Sequence, residues 1–113
     1  MAGYYDLYGC CLEGLESARA KAERALGVEL KAHYSEYEGG DYYRFDSSTG
    51  ESFVLKRNFD AVEGEWFEDK FKEYPILLYV DRTRRPEDVE KRLQRSGPEF
   101  TLLRRQKEKT REG

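Results

Sequence analysis

The chain is poor in the residues that most often carry chemistry. Its 113 residues include one histidine, His33, and two cysteines, the neighbours Cys10 and Cys11. A lone histidine excludes a metal site built on two imidazoles. Adjacent cysteines can bond to each other only through a strained ring, and there is no third. Both therefore read as free thiols of a reducing cytoplasm. A nucleophilic pair of Cys10 or Cys11 with His33 would need their strands to be neighbours, and no third orienting residue presents itself. Glycine-rich phosphate loops and dinucleotide fingerprints are missing. Asp46-Ser47-Ser48-Thr49-Gly50-Glu51 lacks the alternate acids and distal glutamate of a calcium loop, so it reads as a turn. The expectation is a non-enzymatic protein with no catalytic residues, no metal and no cofactor. No apolar run approaches the ~20 residues of a membrane span. The start, Met1-Ala2-Gly3-Tyr4-Tyr5-Asp6, has neither the basic residues nor the apolar run of a signal peptide.

Charge and aromatic rings are abundant. Charged and apolar residues each make up 38% of the chain, and net charge is -3. The length suits one domain with one modest core. Between Glu29 and Glu73 stand 12 acids and 6 bases, whereas Arg82 to Glu112 holds 11 bases and 6 acids. That asymmetry allows one acidic and one basic face.

Apolar periodicity gives the elements. Tyr4 to Cys10 alternates as a first strand. Leu15, Ala18, Ala22 and Ala25/Leu26 recur at helical spacing, so a helix is expected over 13–26, ended by Gly27 in the left-handed region. Val28 to Ser35 alternates as a strand, with a slip near Ser35 that suits a bulge. Gly39-Gly40 suits a tight hairpin turn. Tyr43 and Phe45 share a face of the next strand, Ser47 to Gly50 turns the chain again, and a strand is expected over 51–59. The acid-rich stretch to Tyr74 reads either as a short helix over 65–72 or as a loop lying over the sheet. Ile76 to Val80 is apolar at every position, as in a central strand covered on both faces. Pro86 with Glu87 and Asp88 starts a second helix, which Ser96-Gly97-Pro98 ends. Phe100 to Leu103 reads as the last strand. The expected fold is therefore α+β: an antiparallel-rich sheet of five to six strands with two helices on one face, a ferredoxin-like variant with an inserted strand. Residues 1–103 form the domain, and 104–113 read as a charged, frayed tail.

The hairpin His33 to Phe45 alternates rings with acids. Tyrosine offers a stiff contact surface with a polar end. The candidate partner-binding residues are Tyr37, Tyr42 and Trp66 as anchors, with Glu36, Glu38, Asp41, Asp60 and Glu65 as facing acids. Tyr43 reads as core. Such a surface fits a basic protein: nuclease clefts are positive because they attract phosphate, and acids with tyrosines imitate that substrate. The competing expectation is a small RNA-binding or regulatory module. It would use Arg82, Arg84, Arg85, Arg92, Arg95, Arg104 and Arg105 of the C-terminal part.

Four segments carry a resemblance: Tyr5-Asp6-Leu7-Tyr8-Gly9-Cys10, His33 to Tyr43, Phe53-Val54-Leu55-Lys56-Arg57-Asn58-Phe59 and Tyr74 to Val80. Together they resemble small immunity proteins of bacterial contact-dependent inhibition and related polymorphic-toxin systems. The resemblance implies a cytoplasmic, non-enzymatic protein that binds the C-terminal domain of one cognate toxin in a 1:1 complex. The toxin is often a nuclease, an RNase in the reading preferred here. No fixed binding motif comes with the resemblance, so the site residues above rest on the surface argument.

Overall fold

A computed structural model describes residues 3–108. The chain runs β1 (Tyr4–Cys10), α1 (Leu15–Leu26), β2 (Lys31–Ser35), β3 (Gly40–Asp46), β4 (Ser52–Arg57), β5 (Phe59–Asp60), β6 (Glu65–Trp66), β7 (Ile76–Thr83), α2 (Pro86–Arg95) and β8 (Phe100–Lys107). Six strands form one sheet in the order β2-β3-β4-β7-β1-β8, and every pairing is antiparallel. The α+β reading of the sequence holds. β7 and β8 run parallel with β1 between them, so β7-α2-β8 is a split β-α-β unit. The meander β2-β3-β4 extends the sheet beyond β7.

Sheet alternation explains the core. Tyr8 and Cys10 of β1, Phe53 and Leu55 of β4, and Ile76, Leu78 and Val80 of β7 face one side. Leu15, Ala18, Ala22 and Leu26 of α1 cover them, together with Val89 and Leu93 of α2. The two alanines let α1 lie close to the sheet. Full burial of Phe53 is worth about 2–3 kcal/mol. Gly27 ends α1 at φ 67°, its N–H donating to the Glu23 carbonyl at 2.8 Å. The Glu23 carboxylate also accepts from the Leu30 N–H at 2.8 Å. That bond ties the chain leaving α1 to the helix, which is why β2 starts at Lys31 rather than at Val28.

β8 outruns its apolar residues. Arg104 to Lys107 belong to the strand, not to a frayed tail; residues 109–113 of that expected tail lie outside the described ones. The cause is Asp6, 2% exposed on β1. Arg105 donates to both its oxygens at 2.9–3.1 Å, and also to the Pro86 carbonyl and Glu90 at 3.2 Å. One guanidinium thus joins β1, β8 and α2.

The sheet face away from the helices is covered in its middle by residues 58–74, the second of the two arrangements open from sequence. Instead of a helix over 65–72, this segment holds the β5-β6 hairpin and a single 3-10 turn at Asp69–Phe71. Asn58, fully buried, fastens it. Its amide donates to the carbonyls of Phe71 and Tyr74 at 2.9 and 3.0 Å, and its Oδ1 accepts from the Glu68 N–H at 2.9 Å. The Tyr74 ring lies on Gly9, where any Cβ would overlap it.

Candidate functional site

The turn between β2 and β3 is longer than two glycines. Ser35 Oγ accepts from the Tyr37 N–H at 3.2 Å and opens a 3-10 turn over Glu36–Glu38. Gly39 closes it at φ 82°, and Gly40 begins β3 at φ 113°. The expected slip near Ser35 is the start of this turn. A side chain at Gly39 would put its Cβ 3.0 Å from the Phe67 ring and 3.4 Å from the Asp60 Cα. The β2-β3 tip therefore rests directly on the 58–74 segment. Two loops of the acid-rich region thus meet, while Tyr34 and Asp41, at the base of the first, project to the other face of the sheet.

Lys56 is the pin beneath it. Its side chain is nearly buried, and Nζ donates to Glu38 Oε1 at 2.7 Å. The same ammonium lies 3.7 Å from the Phe67 ring centroid and 5.0 Å from that of Tyr79. Tyr79 donates to Glu68 at 2.7 Å, and Arg104 donates to both Glu68 oxygens at 3.1 and 3.2 Å. Burial pushes the Glu68 carboxyl up, but the hydrogen bonds from Arg104 and Tyr79 outweigh it and hold the group below its ordinary value. Burial, followed by the Glu68 hydrogen bond, raises the Tyr79 phenol far above its own. These groups are locked as a support.

What the two loops leave outside is apolar and acidic, with Arg57 and His33 beside Asp41 and Tyr42 at the edge of the β2-β3 hairpin. The exposed large hydrophobic residues among those described are Tyr34 (68%), Tyr37 (94%), Phe59 (43%) and Val62 (45%), and all four belong to these two loops or the strands entering them. Trp66, half-buried, meets Phe59 edge-on with centroids 5.2 Å apart. Residues 34–41 and 58–66 contain no base. Glu36, Asp41, Glu63 and Glu65 are exposed. Among the described residues none of the four makes an ion pair.

The structure sorts the residues singled out from sequence. Tyr37, Glu36 and Glu65 stand in solvent, and Trp66 presents part of its ring. Asp41 and Tyr42 lie on opposite faces of β3: Asp41 sits opposite Tyr34, whereas Tyr42 sits opposite His33 and stacks on it at 5.4 Å. Glu38 is held by Lys56. Asp60 is a correction: at 6% exposure it does not face outward. Its Oδ1 accepts from the N–H groups of Val62 and Glu63 at 2.9 and 3.2 Å and so shapes the β5-β6 turn. Tyr43 packs on the core and donates to Glu16 at 2.7 Å. Tyr34, Phe59, Val62 and Glu63 are also exposed, and the ring-and-acid pattern of the sequence did not single them out. A signal for Val62 existed: an apolar residue inside Asp60-Ala61-Val62-Glu63-Gly64 has only solvent to face once the turn closes.

The nucleophilic pairing considered from sequence does not assemble. β7, β4 and β3 separate Cys10 on β1 from His33 on β2. Burial drives the Cys10 thiol up to about 11, so it stays protonated at neutral pH. Among the described residues no group of histidine, cysteine and carboxylate side chains is placed to hold a metal ion, and no helix is long and apolar enough to cross a membrane. No family model matches the chain, and neither a curated protein nor a solved structure matches it.

Proposed function

We propose that this chain is an immunity-type inhibitor, working in the cytoplasm, that binds a cognate toxin domain one-to-one. Its β2-β3 tip and β5-β6 hairpin occupy the toxin's basic cleft, which in a nuclease, and most simply an RNase, is the site that attracts phosphate. One observation carries the reading: three of the four exposed large apolar side chains, Tyr37, Phe59 and Val62, stand on two acidic stretches without a base of their own that rest against each other. Rings on a locked base lose little freedom on binding, which is what an anchor needs. Unpaired carboxylates around them steer a basic partner and discourage a neutral one. The free thiols Cys10 and Cys11 accord with a reducing compartment.

The test is inhibition by titration. The purified chain is added to a basic toxin RNase domain encoded beside it, with cleavage of a fluorogenic RNA as readout. Activity should fall linearly to zero at one equivalent, and Tyr37→Ala should shift the curve to weak inhibition. Undiminished cleavage at several equivalents would remove the proposal.

A further inference from the structure

Three of the C-terminal arginines that could have formed an RNA-binding run are held within the fold: Arg85 pairs with Glu51 and Asp88, Arg104 with Glu68 and Arg105 with Asp6. A different basic site emerges on the helix layer, away from the acidic loops. Lys21, Arg24 and Ala25 of α1 face Arg92, Arg95 and Ser96 at the end of α2 across an open groove of about 470 Å3. No acid lines it. Two nearby carboxylates touch its cations: Glu99 lies 3.3 Å from Lys21, and Asp88 lies 2.9 Å from Arg92. Arg24 and Arg95 are exposed and make no ion pair among the described residues.

Helix polarity accounts for only part of this. Arg24 of α1 and both Arg92 and Arg95 of α2 lie in the last turns of their helices, where a cation favours the C-terminal dipole. With Lys21 paired to Glu99 and Arg92 to Asp88, helix polarity gives no reason for the two unpaired guanidinium groups, Arg24 and Arg95, to share one groove, where they repel each other. A bound polyanion would remove that repulsion. Three of the four cations lining the groove are guanidinium groups, whose planar fork matches phosphate oxygens two at a time. The walls offer no aromatic ring on which a base could stack and no apolar anchor beyond Ala25. The groove thus suits phosphates and neither bases nor a protein hot spot.

We infer that the α1-α2 groove is a sequence-independent binding site for the phosphate backbone of duplex nucleic acid, held by Lys21, Arg24, Arg92 and Arg95. This inference does not rest on the inhibitor reading, which uses the other layer of the molecule.

Fluorescence anisotropy of a short labelled DNA duplex titrated with the full chain tests it. With three to four phosphates neutralised, log affinity should fall against log salt with a slope of about -3. Exchanging the duplex sequence should leave affinity within about twofold. The double variant Arg24→Glu/Arg95→Glu should lose about tenfold or more at low salt. Arg57→Glu/Arg84→Glu changes the net charge equally at exposed positions off the groove, and should stay within about threefold. The inference is overturned if no binding occurs at about 50 mM salt, or if both double variants weaken binding equally, since either result leaves no role for the groove. It is also overturned if polyglutamate at matched charge displaces the duplex as well as unlabelled duplex does, because the groove would then read charge and not phosphate.

Discussion

Asn58 is the residue on which the candidate site hangs. Its amide and carbonyl hold four backbone groups that lie 10 to 16 positions further along the chain. Leucine at 58 would fill much the same space and leave buried carbonyls without donors. Asn58→Leu is expected to cost about 2–4 kcal/mol in urea denaturation, and to open residues 59–73 to limited proteolysis before the rest of the chain. A loss below 0.5 kcal/mol, on the order of a neutral surface change, would mean the segment is held by its rings instead. Nothing in the sequence Lys56-Arg57-Asn58-Phe59 announces this role, because the partners are remote and their carbonyls carry no side-chain signature. Glu51 poses a pH-dependent case. Burial raises its carboxyl, but hydrogen bonds from Arg85 (2.9 and 3.2 Å) and Thr83 (2.7 Å) prevail and keep it below the ordinary value. A folded-state pKa below the unfolded one gives stability that is present at neutral pH and is lost as pH falls through the folded value. Glu51→Gln should therefore melt below the wild type at about pH 7, and the gap should close toward about pH 3. An equal gap at both ends would show that the charge is irrelevant.

At the scale of elements, periodicity carried the most information. The buried stripe of α1, the Pro86 start of α2 and the two-sided burial of β7 follow from residue spacing alone, and the structure has all three. The departures share a physical origin: side chains making distant contacts set where an element stops. Arg105 finds Asp6 and carries β8 to Lys107; Glu23 caps Leu30 and delays β2. Gly39-Gly40 marked a turn correctly, but not its type, since the 3-10 turn depends on Ser35 Oγ and on Phe67 beneath it. Two glycines separate these contributions. Gly39 and Gly64 both have positive φ, 82° and 72°, but only Gly39 faces a neighbour, Phe67 at 3.0 Å. Gly64→Ala should cost about 1 kcal/mol from backbone strain alone. Gly39→Ala should cost roughly 1–3 kcal/mol more, since Phe67 must shift. Equal losses in chemical denaturation would mean that the tip does not rest on Phe67.

The whole molecule separates what holds the fold from what stands free in solvent. The sequence located the acidic, aromatic region, but the division of labour within it was not legible there. Asp60 and Glu65 look alike in the chain, yet one shapes a turn and the other is free. Glu36 and Glu38 flank the same tyrosine, yet only Glu38 meets Lys56. Pairing across the tertiary structure decides this, so a sequence can give the population of a surface before it gives the members. The separation makes a sharp expectation. Tyr37 is 94% exposed, so Tyr37→Ala should change folding stability by no more than about 0.5 kcal/mol. If it anchors a partner, the same change should cost about 2 kcal/mol or more of binding, seen as faster dissociation. Neutralising the free acids together, Glu36→Gln/Glu63→Gln/Glu65→Gln, should act on the other rate: slower association and a flatter dependence on salt, with dissociation nearly unchanged. Surface plasmon resonance at two ionic strengths reads both. Should the acid variant instead speed dissociation while Tyr37→Ala leaves it alone, then the carboxylates hold the partner and the exposed rings are bystanders.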